Sequence, residues 1–161
     1  MKSASLNEIK KELNELEPKV LAELCLHLAK YKKDNKEFLS YLLFESQHKQ
    51  GFVSAIKAEI DNQFSEIVQV NLYLVKKSLR KILRITNKYI KYIACKQTEV
   101  ELLLYFCNKL NQSEIPIHKS TALTNLYNAQ LKKINSAIAK LHEDLQYDSK
   151  KEVEMLISSL H

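Results

Sequence analysis

The sequence predicts an all-α protein: an antiparallel array of seven or eight helices, arranged as an irregular bundle or a short α-α superhelix. Three observations lead there. One Gly and two Pro in 161 residues are too few for the turns and close backbone approaches of sheet-rich or Rossmann-like folds. Apolar residues recur at helical spacing along almost the whole chain. Capping residues punctuate those runs. The length fits a single domain spanning residues 1–161 that can bury a core without metals or disulfides.

Each element follows in order. Leu6, Ile9, Leu13 and Leu16 line one face of a first helix, and Ser5 with Glu8 forms a capping box. Pro18 suits the first turn of a second helix. From Val20 to Tyr31 this helix is apolar on most sides, which predicts a central, buried position. Asp34 with Glu37 reads as another cap, followed by the apolar run "EFLSYLLFES". Gly51 predicts a break between helices. Phe52, Ile56, Ile60, Phe64 and Ile67 make the next stripe. Asn71 opens a long fifth helix that runs to about Ala94. Thr98 with Glu101 predicts a further cap before the buried run "EVELLLYFCNKL". "NQSEIPIHKS" is the longest loop, because Pro116 pushes its predecessor from the α region.

A seventh helix begins near Ser120, with Leu123, Leu126 or Tyr127, Ile134, Ile138, Leu141 and Leu145 as its stripe. Ser149 with Glu152 marks a new start or a patch on a continuing helix. Val153, Leu156 and Leu160 give the end a weak apolar face. The helices group as hairpins, roughly 17–50, 51–96 and 98–147. "KEFLSYLLF" (36–44) and "TEVELLLYF" (98–106) echo one another without a strict repeat.

The stretches "LAKYKKDNKEFLSYLLFES", "KKSLRKILRITNKYIKYI", "TEVELLLYFC" and "LHEDLQYD" resemble a family of small uncharacterised bacterial proteins. The resemblance implies a cytoplasmic, bacterial, all-helical protein. It brings no activity, cofactor or catalytic residue with it.

Chemistry finds little foothold. One glycine excludes phosphate-binding glycine loops, and no nucleophile elbow occurs. His27, His48, His118, His142 and His161 include no pair at i, i+3 or i+4, and no H-E-x-x-H occurs. His142, Glu143, Asp144, Tyr147 and Asp148 cluster locally but read as a solvated acidic helix end. His27 reads as a partly buried, hydrogen-bonded histidine, and Tyr31, Phe38, Tyr41 and Phe44 read as core. Cys25, Cys95 and Cys107 lack metal spacing; Cys25 and Cys107 sit in apolar runs and are expected to be buried, reduced thiols. No catalytic residue, metal or cofactor is assigned. Neither a signal peptide nor a membrane span is legible, which predicts a cytoplasmic location.

Charge is the one uneven feature. The chain carries +6, from 25 basic and 19 acidic residues. Residues 75–96, "VKKSLRKILRITNKYIKYIACK", hold eight cations and no acid, so the remainder of the chain is net acidic. At about 100° per residue, Leu72, Val75, Leu79, Ile82, Thr86, Tyr89 and Ile93 form one stripe, widened by Leu83 and Ile90. Lys76, Lys77, Arg80, Lys81, Arg84, Lys88 and Lys91 fall opposite, with Tyr73 among them and Tyr92 at their edge.

Three readings compete for this face. It is a solvated surface, although exposed helices usually mix both signs. It docks an acidic protein partner, or self-associates, through acids such as Glu8, Glu12, Glu15, Glu17 and Glu23 or Glu143, Asp144, Asp148, Glu152 and Glu154. Or it binds nucleic acid or another polyanion. A non-enzymatic scaffold or interaction domain is the leading expectation, with polyanion binding as the alternative.

Overall fold

The computed structural model describes residues 2–68 and 71–159, and within them the chain is all-α, with eight α-helices and no strand. It divides into two compact units, Met1–Gln47 and His48–His161. Leu160 and His161, which the sequence placed at the terminal apolar face and among the histidines, lie outside the described residues.

The first unit holds α1 (Leu6–Asn14), α2 (Pro18–Tyr31) and α3 (Lys33–Ser40), followed by a π-helical turn at Tyr41–Glu45 and a 3₁₀ turn beginning at Ser46. Ser5 caps α1 as expected: its hydroxyl accepts from the Glu8 N–H, and the Glu8 carboxylate accepts from the Ser5 N–H at 2.7 Å. Pro18 occupies the first turn of α2. The cap predicted at Asp34 is not used. The helix boundary is set by extended backbone at Lys32, so Asp34 falls inside the first turn, where its charge suits the helix dipole.

The expectation that α2 is central is overturned. None of its residues is buried, and α3 is the helix that packs on it within the unit. A single neighbour covers one side of a helix, so apolar residues on the remaining sides stay in contact with solvent. Cys25 and His27 are therefore exposed rather than buried. Tyr31, Phe38 and Phe44 are also exposed, and Tyr41 alone of that aromatic set is buried.

The second unit contains α4 (Lys49–Ser65), α5 (Leu72–Ile93), α6 (Lys96–Gln112), a 3₁₀ turn at Ile117–Lys119, α7 (Thr121–Ile138) and α8 (Glu143–Ser158). α6 is the central post, packed on α4, α5, α7 and α8. Val100, Leu102, Leu103, Leu104, Phe106, Cys107 and Leu110 are all buried along it. Its mixed apolar faces are filled because several helices surround it. Neighbours in sequence pack together, α4 on α5 and α6 on α7, as the hairpin grouping predicts.

Local boundaries differ from expectation in three places. Gly51 lies inside the first turn of α4 with an ordinary negative φ. The break falls instead at His48, whose backbone leaves helical geometry. α6 begins at Lys96 after extended Cys95, which turns Thr98 into a buried inner-face residue rather than a cap. The expected continuation of α7 through Leu145 is interrupted. Lys140 and Leu141 make tight turn bonds to Ala137 and Ile138 at 3.0 and 2.9 Å, and α8 restarts after His142. α8 then runs through Ser149 and Glu152 without a new start. Asn71 and Ser120 cap α5 and α7 as predicted, each accepting from the N–H three residues on.

A polar strap joins α4 to α6. Asp61 accepts the Tyr105 hydroxyl at 2.7 Å and pairs with Lys109 at 2.9 Å, while Lys57 pairs with Glu101 at 2.7 Å. Partial burial pushes the Asp61 carboxyl up, but the Lys109 ammonium and the Tyr105 hydroxyl outweigh it and hold it below the usual carboxylate range. The folded chain thus releases this proton more readily than the unfolded chain. The strap's contribution is complete above the unfolded pKa of about 4 and is lost as pH falls through the lower folded value. Asp61→Asn is expected to lower stability by roughly 1 kcal/mol near neutrality, given the partial exposure. Urea unfolding at neutral and strongly acidic pH should show that difference shrinking on acidification.

Candidate functional site

The candidate site is the outer face of α5. The inner face is fixed by burial of Val75, Leu79, Ile82, Leu83, Thr86 and Ile90, with Tyr89 and Ile93 partly buried against the core. Thr86 is accommodated because its hydroxyl donates to the Ile82 carbonyl at 3.0 Å. Leu72, the first residue of the predicted stripe, remains exposed at the helix start. Once that stripe is buried, helical geometry leaves the seven cations within about 140° of arc on the other side. The row from Lys76 to Lys91 spans about 22 Å at 1.5 Å per residue.

Lys77, Arg80, Lys81, Arg84 and Lys91 are exposed, and Lys76 and Lys88 are half-buried. Lys88 lies over the Tyr89 ring, 5.0 Å from its centroid. Phe52, Tyr89 and Tyr92 form an edge-on aromatic border, with centroids 5.6 and 6.0 Å apart. Tyr73, Lys76, Lys77, Ser78, Arg80, Lys81 and Arg84 line an open furrow of about 540 Å³. Tyr73 is 74% exposed at its end.

Among the described residues of this unit, no carboxylate pairs with Lys76, Lys77, Arg80, Lys81, Arg84 or Lys91. The late acids lie on α8, which packs on α6 and α7. There Asp144 faces His142 at 3.3 Å, the acidic helix end that the sequence predicts. The described residues contain no group of three or more His, Cys, Asp or Glu placed to hold a metal. None of their helices is long and apolar enough to cross a membrane.

One contributor was invisible in the sequence. Lys133 on α7 donates to Asn87 Oδ1 at 3.4 Å, and Asn87 sits at the edge of the cationic arc. This adds an eighth cation from a second helix. Nothing in the spacing of a residue 46 positions away signals that proximity.

The three thiols are free and differ sharply. Burial raises Cys95 but is outweighed by the adjacent Lys49 ammonium and by the N–H and hydroxyl of Thr98, bringing it down to about 7. Burial alone pushes Cys107 up to about 12. Since the thiolate is the nucleophile, Cys95 should be alkylated by iodoacetamide with a rate midpoint near pH 7. Cys107 should react only on unfolding. Lys49→Ala should shift the Cys95 midpoint upward in the same rate–pH measurement.

No family model, no curated protein and no solved structure matches the chain.

Proposed function

We propose that this chain is a non-enzymatic interaction domain of the bacterial cytoplasm that docks an acidic protein surface on the cationic face of α5. The observation that carries this reading is that Lys77, Arg80, Lys81, Arg84 and Lys91 are exposed and, among the described residues of their unit, pair with no carboxylate. An exposed helix kept only for solubility ordinarily mixes both signs. Like charges held along one face repel, and an acidic partner relieves that repulsion while steering encounter and register. Arg80 and Arg84 supply planar forks suited to carboxylates. The free thiols fit a reducing compartment.

A second reading is favoured by one feature. Tyr73 stands exposed among the cations, and cations interleaved with an aromatic ring are the elements of single-strand nucleic-acid binding.

Titration of the full chain with an acidic peptide and with a mixed single-stranded oligonucleotide, at about 50 and about 200 mM salt, distinguishes the readings. Tighter binding of the peptide supports the first. Tighter binding of the oligonucleotide, with affinity falling by about 10³ over that salt range, supports the second. If neither ligand binds, the face is a solvated surface and the proposal fails.

A further inference from the structure

The first unit lacks a core of its own. Among its described residues Tyr41 alone is buried. A unit of about 40 residues ordinarily needs a disulfide, a metal or association with another surface to hold together. Cys25 is its one cysteine and is free. Among the described residues no group of three or more His, Cys, Asp or Glu is placed to hold a metal. Association remains.

α2 carries the surface for it. Val20, Leu24 and Leu28 are 41, 42 and 59% exposed, and Tyr31 is 81% exposed. At about 100° per residue these four fall within one stripe of about 80°. Val20, Leu24, His27 and Tyr31 follow one another at steps of four, three and four, the spacing of a coiled-coil seam, and Leu28 widens it. His27 is the one polar position in that seam, and a single such position fixes register at a cost in stability. Glu23 and Lys30 flank the seam on one side, seven residues apart, so they occupy equivalent positions of the repeat. Both are exposed, and neither pairs with another described side chain.

We propose that this face of α2 pairs antiparallel with α2 of a second copy of the chain. Symmetry selects that occupant. The seam from Val20 to Tyr31 is centred between Cys25 and Leu26, and Glu23 and Lys30 are centred between Leu26 and His27. The two midpoints lie one residue apart, about 1.5 Å along the axis. Around a two-fold at that point the seam meets itself, and Glu23 of each copy meets Lys30 of the other. The charge of the whole unit agrees. Residues 1–47 hold eight Lys and eight Asp or Glu, so two copies meet without net repulsion. The same balance leaves no cation excess to hold an amphipathic helix on an anionic lipid surface. The pairing does not involve the cationic face of α5.

Light scattering of the full chain at about 100 μM, well above a dissociation constant of about 1 μM, provides the test. The expected mass is twice the 18.7 kDa of one chain. Leu24→Glu puts a charge in the seam and should return the mass to that of a monomer. Its circular dichroism should stay helical, because Leu24 is outside the buried core. Glu23→Lys alone, or Lys30→Glu alone, should weaken the dimer about tenfold, since the two-fold sets each like-charge contact twice. Glu23→Lys and Lys30→Glu together exchange the signs and should restore wild-type assembly. A monomeric wild type overturns the inference, as does a Leu24→Glu variant that stays dimeric. A double exchange no tighter than either single change overturns the antiparallel pairing. Transfer of the wild-type chain from dimer to vesicles of anionic phospholipid would make lipid the occupant and overturn it too.

Discussion

Phe106→Ala is expected to destabilise the protein by about 3–5 kcal/mol, whereas Phe44→Ala should change stability by no more than about 0.5 kcal/mol. Phe106 is fully buried at the middle of α6 and packs on Phe64 with ring centroids 5.5 Å apart. Removing its ring loses transfer energy and dispersion contacts, and four packed helices cannot all collapse into the space. Against a total stability of about 5–15 kcal/mol, that is a large fraction, and a fall in Tm of about 10 °C or more should accompany it. Phe44 is 70% exposed, so little surface is returned to water on truncation. Denaturant unfolding of both variants beside wild type checks the pair. An equal loss from Phe44→Ala would mean that its ring is covered in solution.

This pair also shows where the sequence stops being informative. "KEFLSYLLF" and "TEVELLLYF" read alike, each an apolar run ending in an aromatic. Phe44 and Phe106 nevertheless have opposite fates. Local pattern reports which surface would gain from burial; it does not report how many neighbours will arrive. α6 has four and α2 within its unit has one, and that difference is set by topology. Helix existence was legible because a chain with one glycine has few alternatives. Caps at Ser5, Asn71 and Ser120 were legible because an oxygen at the first extended residue meets a nearby N–H. The signals at Asp34 and Thr98 failed because the same residue types are also at home inside a first turn.

The cationic face was legible at the level of one helix, since a buried stripe dictates what lies opposite. Its extension by Lys133 and the Asp61–Tyr105–Lys109 strap were not. The strap joins residues 44 positions apart and the Lys133 bond spans 46. Such proximity is a property of packing, which no spacing rule within a helix can reach.

Replacing both Arg80 and Arg84 with Glu is expected to weaken binding of an anionic partner by about 10²–10⁴-fold while leaving the fold unchanged. The two are exposed and one helical turn apart on α5, so a single partner can engage both. Neither has a carboxylate partner within its unit among the described residues, so no internal pair is broken. The buried stripe on the far side of α5 is untouched, and unfolding free energy should move by no more than about 0.5 kcal/mol. Binding loses two charge-assisted contacts, each worth about 1.5–3 kcal/mol, and repulsion from the new carboxylates adds to the loss. Lys77, Lys81 and Lys88 around them would face those carboxylates and further weaken the field. If the partner is an acidic protein, the loss appears in the peptide titration. If it is a second copy of this chain, light scattering will show a change in oligomeric state instead. If it is nucleic acid, the oligonucleotide complex is lost and the wild-type complex is steeply salt-sensitive. A double variant that matches wild type in peptide binding, oligonucleotide binding and light scattering leaves α5 as a helix whose outer side only meets water.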